Sequence, residues 1–251
     1  MNPRPLLALA VAASALFATA AHAVDLTVSA AASLTNAFRD IAPLFEAEHP
    51  GTTVRLNFGS SGALLQQIAK GAPADVFASA DQQRMDQAQA QQLITPALRR
   101  DFAANALVVI VPAAAKQQPA ALADLSRPAY ARIAIGLPAS VPVGSYARRV
   151  LEAAGLWAAI EPKMIGASNV RQALDYVARA EVDAGFVYAT DAAVMRDKVK
   201  VALTVPTGEP IRYPVAPIAA SANADLAARF VAFLGTPAAQ AVLARRDFAR
   251  P

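Results

Sequence analysis

Four short stretches of this sequence contain small, hydroxyl and amide residues and no charged side chain. They are residues 30–36 (AAASLTN), 59–62 (GSSG), 141–145 (VPVGS) and 167–170 (ASNV). Each is predicted to lie between a strand and a helix, where the first N–H groups of the helix lack intrahelical partners and the positive end of its dipole points outward. Several such helix starts around one cleft would hold an oxyanion through neutral donors. Ordinary helix capping is the alternative interpretation.

The elements that position these stretches follow from hydrophobic periodicity. Short apolar β-type runs alternate with longer segments whose apolar residues recur at helical spacing, which predicts an α/β fold with largely parallel strands. One predicted buried helix face carries Leu34, Phe38, Ile41, Leu44 and Phe45. The predicted strands are residues 26–30, 53–57, 76–79, 106–111, 133–136, 163–166 and 184–188.

Composition excludes several classes of protein. The 251 residues are 55% hydrophobic and 17% charged, with a formal charge of +4, which is too apolar for a disordered chain. The positive charge is a small surplus without long basic runs, so no nucleic-acid partner is expected. Without cysteine there is no disulfide, iron–sulfur centre, thiolate zinc site or lipid-modified cysteine.

An exported serine hydrolase using Ser33 or Ser61 is the main enzymatic alternative. Such a nucleophile needs a base, and His49, the only histidine after residue 23, precedes Pro50 at a predicted helix end. The G-x-S-x-G and S-x-x-K motifs are absent from the sequence. We therefore expect that the protein is not an enzyme, that it has no catalytic residue, and that its side chains bind no metal ion.

The first 23 residues have the features of a cleavable signal peptide. Arg4 supplies a positive charge, residues 6–20 form an uncharged apolar segment, and residues 21–23 read Ala-His-Ala. The apolar segment is shorter than the roughly 20 residues of a membrane span. We expect a soluble, exported protein in the periplasm that is not a lipoprotein.

Four longer motifs resemble a known family. Residues 30–38 (AAASLTNAF), 58–62 (FGSSG), 71–81 (GAPADVFASAD) and 185–192 (GFVYATDA) resemble the periplasmic molybdate-binding proteins of molybdenum ABC transporters. The resemblance runs in order along the whole chain after residue 23. It implies a two-lobed type II periplasmic binding protein that is a monomer and needs no cofactor. Such a protein would deliver molybdate or tungstate to a membrane permease.

The same resemblance assigns five ligand-binding residues. By analogy with the family motifs, Ser33 and Ser61 donate through hydroxyl and backbone groups, with Ser60 as the alternative to Ser61. Val143 and Val170 correspond to backbone N–H donors. Tyr188 corresponds to a phenol donor, although a tyrosine at a strand end is also compatible with a plain core role.

The resemblance, together with the order of apolar segments and prolines along the chain, also predicts which residues form each lobe. Lobe 1 is expected to contain residues 24–105 and 216–251, and lobe 2 residues 106–215. The crossings near 106–111 and 213–216 would form a hinge. Two ordinary strands in a rigid sheet are the alternative.

Specificity is expected to follow from uncharged donors. A fully deprotonated tetrahedral dianion only accepts hydrogen bonds, whereas a protonated phosphate carries a donor that would find no acceptor. Molybdate and tungstate satisfy this condition. Sulfate satisfies it as well, so a binding protein for sulfate or another tetrahedral oxyanion is the second interpretation. On this view the nearby Arg148 and Arg171 are expected to be solvated.

Overall fold

The computed structural model describes residues 24–251, so the predicted signal peptide lies outside the described residues. Within residues 24–251 the chain forms two five-stranded sheets, of order β2-β1-β3-β10-β4 and β7-β6-β8-β5-β9. The strands are β1 (Val24–Ala31), β2 (Thr52–Gly59), β3 (Val76–Ala78), β4 (Arg100–Asn105), β5 (Leu107–Pro112), β6 (Ile133–Gly136), β7 (Met164–Ala167), β8 (Ala184–Tyr188), β9 (Val199–Val205) and β10 (Ile211–Pro217).

Helices follow most strands and cover both sheets, which confirms the predicted α/β class. Both sheets are mixed. Strand β10 runs antiparallel to β3 and β4, β5 runs antiparallel to β8 and β9, and the remaining pairs are parallel. The helices of the described chain are α1 (Thr35–Glu48), α2 (Ser61–Ala69), α3 (Gln82–Ala90), α4 (Pro142–Ala153), α5 (Trp157–Ile160), α6 (Val170–Ala178), α7 (Ala189–Val194), α8 (Ala224–Phe233) and α9 (Pro237–Arg245).

We call the first sheet with α1, α2, α3, α8 and α9 lobe 1, and the second sheet with α4 to α7 lobe 2. The chain first crosses between them at Ala106, between β4 and β5. It returns within residues 206–210, between β9 and β10.

The position of this return differs from the sequence prediction, which places residues 211–215 in lobe 2. Strand β10 pairs with β3 and β4 along its length, so these residues belong to the first sheet. The predicted hinge segments 106–111 and 213–216 lie largely within paired strands, and the connections between the sheets are Ala106 and residues 206–210.

An aromatic cluster forms the core of lobe 1. Phe230 of α8 lies against Phe38 and Phe45 of α1, with ring centroids 6.0 and 5.1 Å apart. The predicted apolar face of α1 is buried except at Leu44, which is 38% exposed because it lies at the border of that face. Among residues 24–251 no single helix has the length and apolar character of a membrane span, and only α8 and α9 taken together, bent by 60°, meet that test.

Candidate functional site

A small cavity of about 10 Å³ lies between the two lobes. It is bordered by the carboxyl ends of β1 and β2 from lobe 1 and by the starts of α4 and α6 from lobe 2. The twelve residues that line it are all uncharged. They include the five predicted site residues Ser33, Ser61, Val143, Val170 and Tyr188, which the fold therefore brings together.

Ser60 and Ser61 have different roles at the start of α2. Ser60 is the N-cap residue, and its hydroxyl oxygen accepts a hydrogen bond from the backbone N–H of Ala63 at 3.4 Å. The Ser61 hydroxyl oxygen accepts from the backbone N–H of Ala80 at 3.0 Å, and the residue is fully buried. Since an acceptor position of Ser61 is already occupied, its own proton is available for donation in the cavity. The Ser60 hydroxyl oxygen likewise accepts one backbone hydrogen bond, so both serines are candidate donors and the choice of Ser61 stays a prediction.

The two valines supply backbone groups from helix starts. Pro142 is the first residue of α4 and has no N–H, so Val143 carries the first backbone donor of that helix. Val170 is the first residue of α6, and the N-cap side chain of Asn169 accepts from Gln172 further along the helix. Both valine N–H groups are among the first-turn donors that have no partner inside a helix. The dipoles of α4 and α6 add positive potential at these positions.

Tyr188 ends β8 and is 1% exposed. Its hydroxyl lies 3.5 Å from the carbonyl oxygen of Ala80, across the cleft. Burial raises the pKa of Tyr188 well above 10, so the phenol keeps its proton and remains a donor near neutral pH. Its ring packs edge to face on Tyr213, with centroids 5.8 Å apart.

Ser33 lies in a short 3₁₀ helix that joins β1 to α1. Its hydroxyl oxygen is 3.0 Å from the hydroxyl oxygen of Tyr213. The amide nitrogen of Asn105 donates to Tyr213 at 3.2 Å. Sequence reasoning did not select Tyr213 or Asn105 as site residues, because neither belongs to a helix-start stretch.

Two arginines reach across the cleft instead of binding solvent. Arg84 of lobe 1 forms an ion pair with Asp81 at 2.8 Å and donates to the carbonyl oxygens of Pro138 and Ala139 in lobe 2, each at 3.0 Å. Both side chains of the pair are about 95% buried. Burial raises the pKa of Asp81, and the charge of Arg84 opposes that shift.

Arg171 makes the corresponding contacts from lobe 2. Its Nε lies 2.6 Å from Oδ1 of the buried Asp191, and its terminal nitrogens donate to Oδ1 of Asn36 and to the backbone oxygen of Ser33 in lobe 1. The expectation that Arg171 is solvated was therefore wrong, since its side chain is only 22% exposed. Arg148 is half exposed and pairs with Glu152, as expected for a solvated arginine.

Backbone groups also meet across the cleft. The N–H of Gly62 in α2 donates to the carbonyl oxygen of Ser140 in lobe 2 at 3.0 Å. Together with the two arginines, this contact holds the lobes in a closed arrangement around the cavity. None of the three contacts was accessible from sequence, because each joins residues more than 50 positions apart.

The surroundings of the serines differ from those of a hydrolase nucleophile. His49 stacks on Phe45, with ring centroids 4.1 Å apart, and its Nδ1 lies 3.0 Å from the backbone oxygen of that residue. It caps the end of α1 and does not line the cavity. In the part of the chain that the structure describes, no three His, Asp or Glu residues form a group suited to a metal ion.

Comparisons with known proteins agree with this arrangement. A family model described as "Bacterial extracellular solute-binding protein" matches residues 26–248. The molybdate-binding protein ModA of Escherichia coli (strain K12) is 39% identical over 242 residues, which cover 92% of this chain and 93% of that protein.

Solved structures show the same fold. The periplasmic molybdate-binding protein of Azotobacter vinelandii has a TM-score of 0.78 at 26% identity, covering 90% of this chain and 99% of that one. The sulfate-binding protein SubI of Mycobacterium tuberculosis H37Rv has a TM-score of 0.77 at 19% identity, covering 90% and 87%. The second likeness concerns the fold alone.

Proposed function

Because the chain belongs to the family of bacterial extracellular solute-binding proteins, which capture solutes for transport and are not enzymes, we propose that it binds molybdate in the cavity between its lobes. The observation that carries this proposal is the uncharged lining, in which three helix starts and four hydroxyl-bearing residues border one small space. Tungstate, a dianion of the same shape and charge, is the second ligand of the same site.

We propose Ser33, Ser61 and Tyr188 as hydroxyl donors and Val143 and Val170 as backbone donors to the oxyanion. All five border the cavity, and they come from both lobes, so the complete set forms only when the lobes close. Hydrogen bonds to a charged ligand contribute roughly 1.5 to 3 kcal/mol each. A ligand with four acceptor oxygens satisfies such donors, whereas a protonated anion leaves its own donor unpaired.

We propose that the protein delivers its ligand to the membrane permease of an ABC transporter, because it belongs to a family of solute-binding proteins. We propose that the protein is a periplasmic monomer and that residues 1–23 are removed on export. The lobes would open about Ala106 and residues 206–210 to admit and release the oxyanion. Size-exclusion chromatography with light scattering tests the monomer, and mass spectrometry of the exported protein tests cleavage after Ala23.

A thermal-shift panel of oxyanions on residues 24–251 tests the ligand. Molybdate or tungstate at 100 times its dissociation constant stabilises the folded state by about 2.7 kcal/mol. For a chain of this length that corresponds to a rise in Tm of roughly 5 to 11 °C. Phosphate at the same concentration is expected to produce no shift, and equal shifts with phosphate would show that uncharged donors do not set the specificity.

Sulfate is the informative comparison within the panel, because it is also an unprotonated dianion and hydrogen bonding alone does not reject it. The small cavity makes anion size the remaining discriminator. A larger shift with sulfate than with molybdate would assign the protein to the second interpretation, a sulfate-binding protein.

A further inference from the structure

Behind Ser33 lies a buried phenol that the proposed ligand set does not use. Tyr213 of β10 is 0% exposed and does not border the cavity. The described hydrogen-bond partners of its hydroxyl are the Ser33 hydroxyl at 3.0 Å and the amide nitrogen of Asn105 at 3.2 Å. The hydroxyl thus connects a predicted ligand residue to the first crossing between the lobes.

The direction of these hydrogen bonds follows from Asn105. Its side-chain oxygen accepts from the backbone N–H of Ala106 at 2.9 Å, so its amide nitrogen is the end that faces Tyr213. An amide nitrogen only donates, and the Tyr213 oxygen therefore acts as acceptor there. The phenol proton is left for the Ser33 oxygen. The reverse arrangement would leave the Tyr213 proton without an acceptor among its described neighbours, in a buried position where that is costly.

We propose that Asn105 and Tyr213 are positioning residues that orient the Ser33 hydroxyl as a donor toward the oxyanion and thereby set selectivity against protonated anions. This inference rests on the proposed function of the cavity. With one of its two acceptor positions occupied by Tyr213, the Ser33 hydroxyl offers a proton to the ligand and has reduced capacity to accept one. The Ser61 hydroxyl oxygen also accepts a hydrogen bond, in this case from the backbone N–H of Ala80.

Lobe closure and the orientation of Ser33 are connected through Asn105. Its amide nitrogen also donates to the hydroxyl oxygen of Thr190 in lobe 2 at 2.8 Å. The two amide protons thus serve one residue in each lobe. When the lobes are in the closed arrangement, both contacts fix the amide, and the amide in turn fixes Tyr213.

Tyr213→Phe removes the hydroxyl while keeping the ring contacts to Tyr188 and Phe248, whose centroids lie 5.8 and 5.5 Å away. Loss of one oriented hydrogen bond is expected to weaken molybdate binding about 3- to 10-fold by calorimetry. Binding of hydrogen phosphate is expected to be unchanged or stronger, because Ser33 regains the freedom to accept. The ratio of molybdate to phosphate affinity therefore falls. Tyr130→Phe, another buried tyrosine but in lobe 2, is the matched control and should leave the ratio unchanged.

A double-mutant cycle separates positioning from general destabilisation. If Tyr213 acts through Ser33, Tyr213→Phe has no further effect on molybdate affinity in a Ser33→Ala background. Equal losses in both backgrounds, or an unchanged molybdate-to-phosphate ratio, would overturn the proposal. If Tyr213→Phe does not fold, Asn105→Ala takes its place and must lower the same ratio. Wild-type protein that binds no molybdate would instead refute the proposed function itself.

Discussion

Gly62 is the position at which closure of the lobes can be blocked without changing the binding groups. It lies in the first turn of α2, and its N–H donates to the carbonyl oxygen of Ser140 across the cleft. A Cβ atom at Gly62 would lie 2.5 Å from that oxygen and 2.8 Å from the Ser140 Cα. Both are backbone atoms of the opposite lobe, so no side-chain rotation relieves the contact. Gly62→Ala must therefore keep the lobes apart.

The size of the effect follows from the contacts that the added methyl group separates. Ordinary contact of a Cβ begins near 3.4 Å, so Ser140 must retreat by about 0.9 Å. The neighbouring carbonyl oxygens of Pro138 and Ala139 move with it, and their 3.0 Å hydrogen bonds from Arg84 lengthen beyond useful range. One neutral and two charge-assisted hydrogen bonds are weakened, for a loss of at least about 2 kcal/mol of closing free energy. Apparent molybdate affinity falls by roughly 30-fold or more.

The stability of the unligated protein should change less than the affinity does, because a gain in helix propensity offsets part of the lost closing free energy. Alanine is favoured over glycine inside a helix by roughly 0.5 to 1 kcal/mol, and the open lobes accommodate the methyl group. Calorimetry measures the affinity, and thermal unfolding without ligand measures the stability. Gly235→Ala is the control, because its nearest contact is 3.4 Å away within lobe 1. Wild-type affinity in Gly62→Ala would refute the inference that closure through this contact contributes to binding.

Three further predictions concern the buried charges and the hydroxyl donors. Arg171→Gln leaves the fully buried Asp191 without its cation and should lower the free energy of unfolding by about 3 kcal/mol at pH 8, measured with urea; a loss below about 1 kcal/mol would contradict the buried pair. Burial, opposed by Arg171, raises the pKa of Asp191 from 3.8 to about 6, so the folded state binds this proton more tightly than the unfolded state. The free energy of unfolding should therefore fall as pH rises from about 4 to about 6, and Asp191→Asn should remove part of that fall. Tyr188→Phe and Ser61→Ala should each weaken molybdate binding by roughly 1.5 to 3 kcal/mol, whereas Ser60→Ala should lower stability through loss of a helix cap and leave affinity nearly unchanged.

Local sequence patterns predicted the elements that surround the cavity. The predicted strands 133–136 and 184–188 match β6 and β8, because each is a short apolar run that is buried on both faces. The uncharged stretch 141–145 spans the observed start of α4. Turn chemistry and helix capping are decided by neighbouring residues, so the sequence carries that information directly.

Long-range pairing was not accessible in the same way. Strand β10 contains Pro214, which argues against a central strand, yet it pairs on both sides. A register shift between Tyr213 and Pro214 accommodates the missing N–H donor. This strand places the Tyr213 hydroxyl next to Ser33, whereas the sequence analysis assigned residues 213–216 to a hinge crossing and therefore did not identify Tyr213 as a neighbour of the site.

The two arginines explain how a cavity of neutral donors coexists with nearby positive charge. Arg84 and Arg171 are each compensated by a buried carboxylate, Asp81 and Asp191, so each pair adds little net charge. Other N–H groups of both guanidinium groups bind oxygen atoms of the opposite lobe, which leaves helix starts and hydroxyl groups as the proposed donors to the anion. Arg171 directly follows Val170, which borders the cavity. In the proposed mode of binding, the movement that brings the Val170 N–H to the anion also brings the Arg171 guanidinium to lobe 1, so closure and oxyanion binding would stabilise each other.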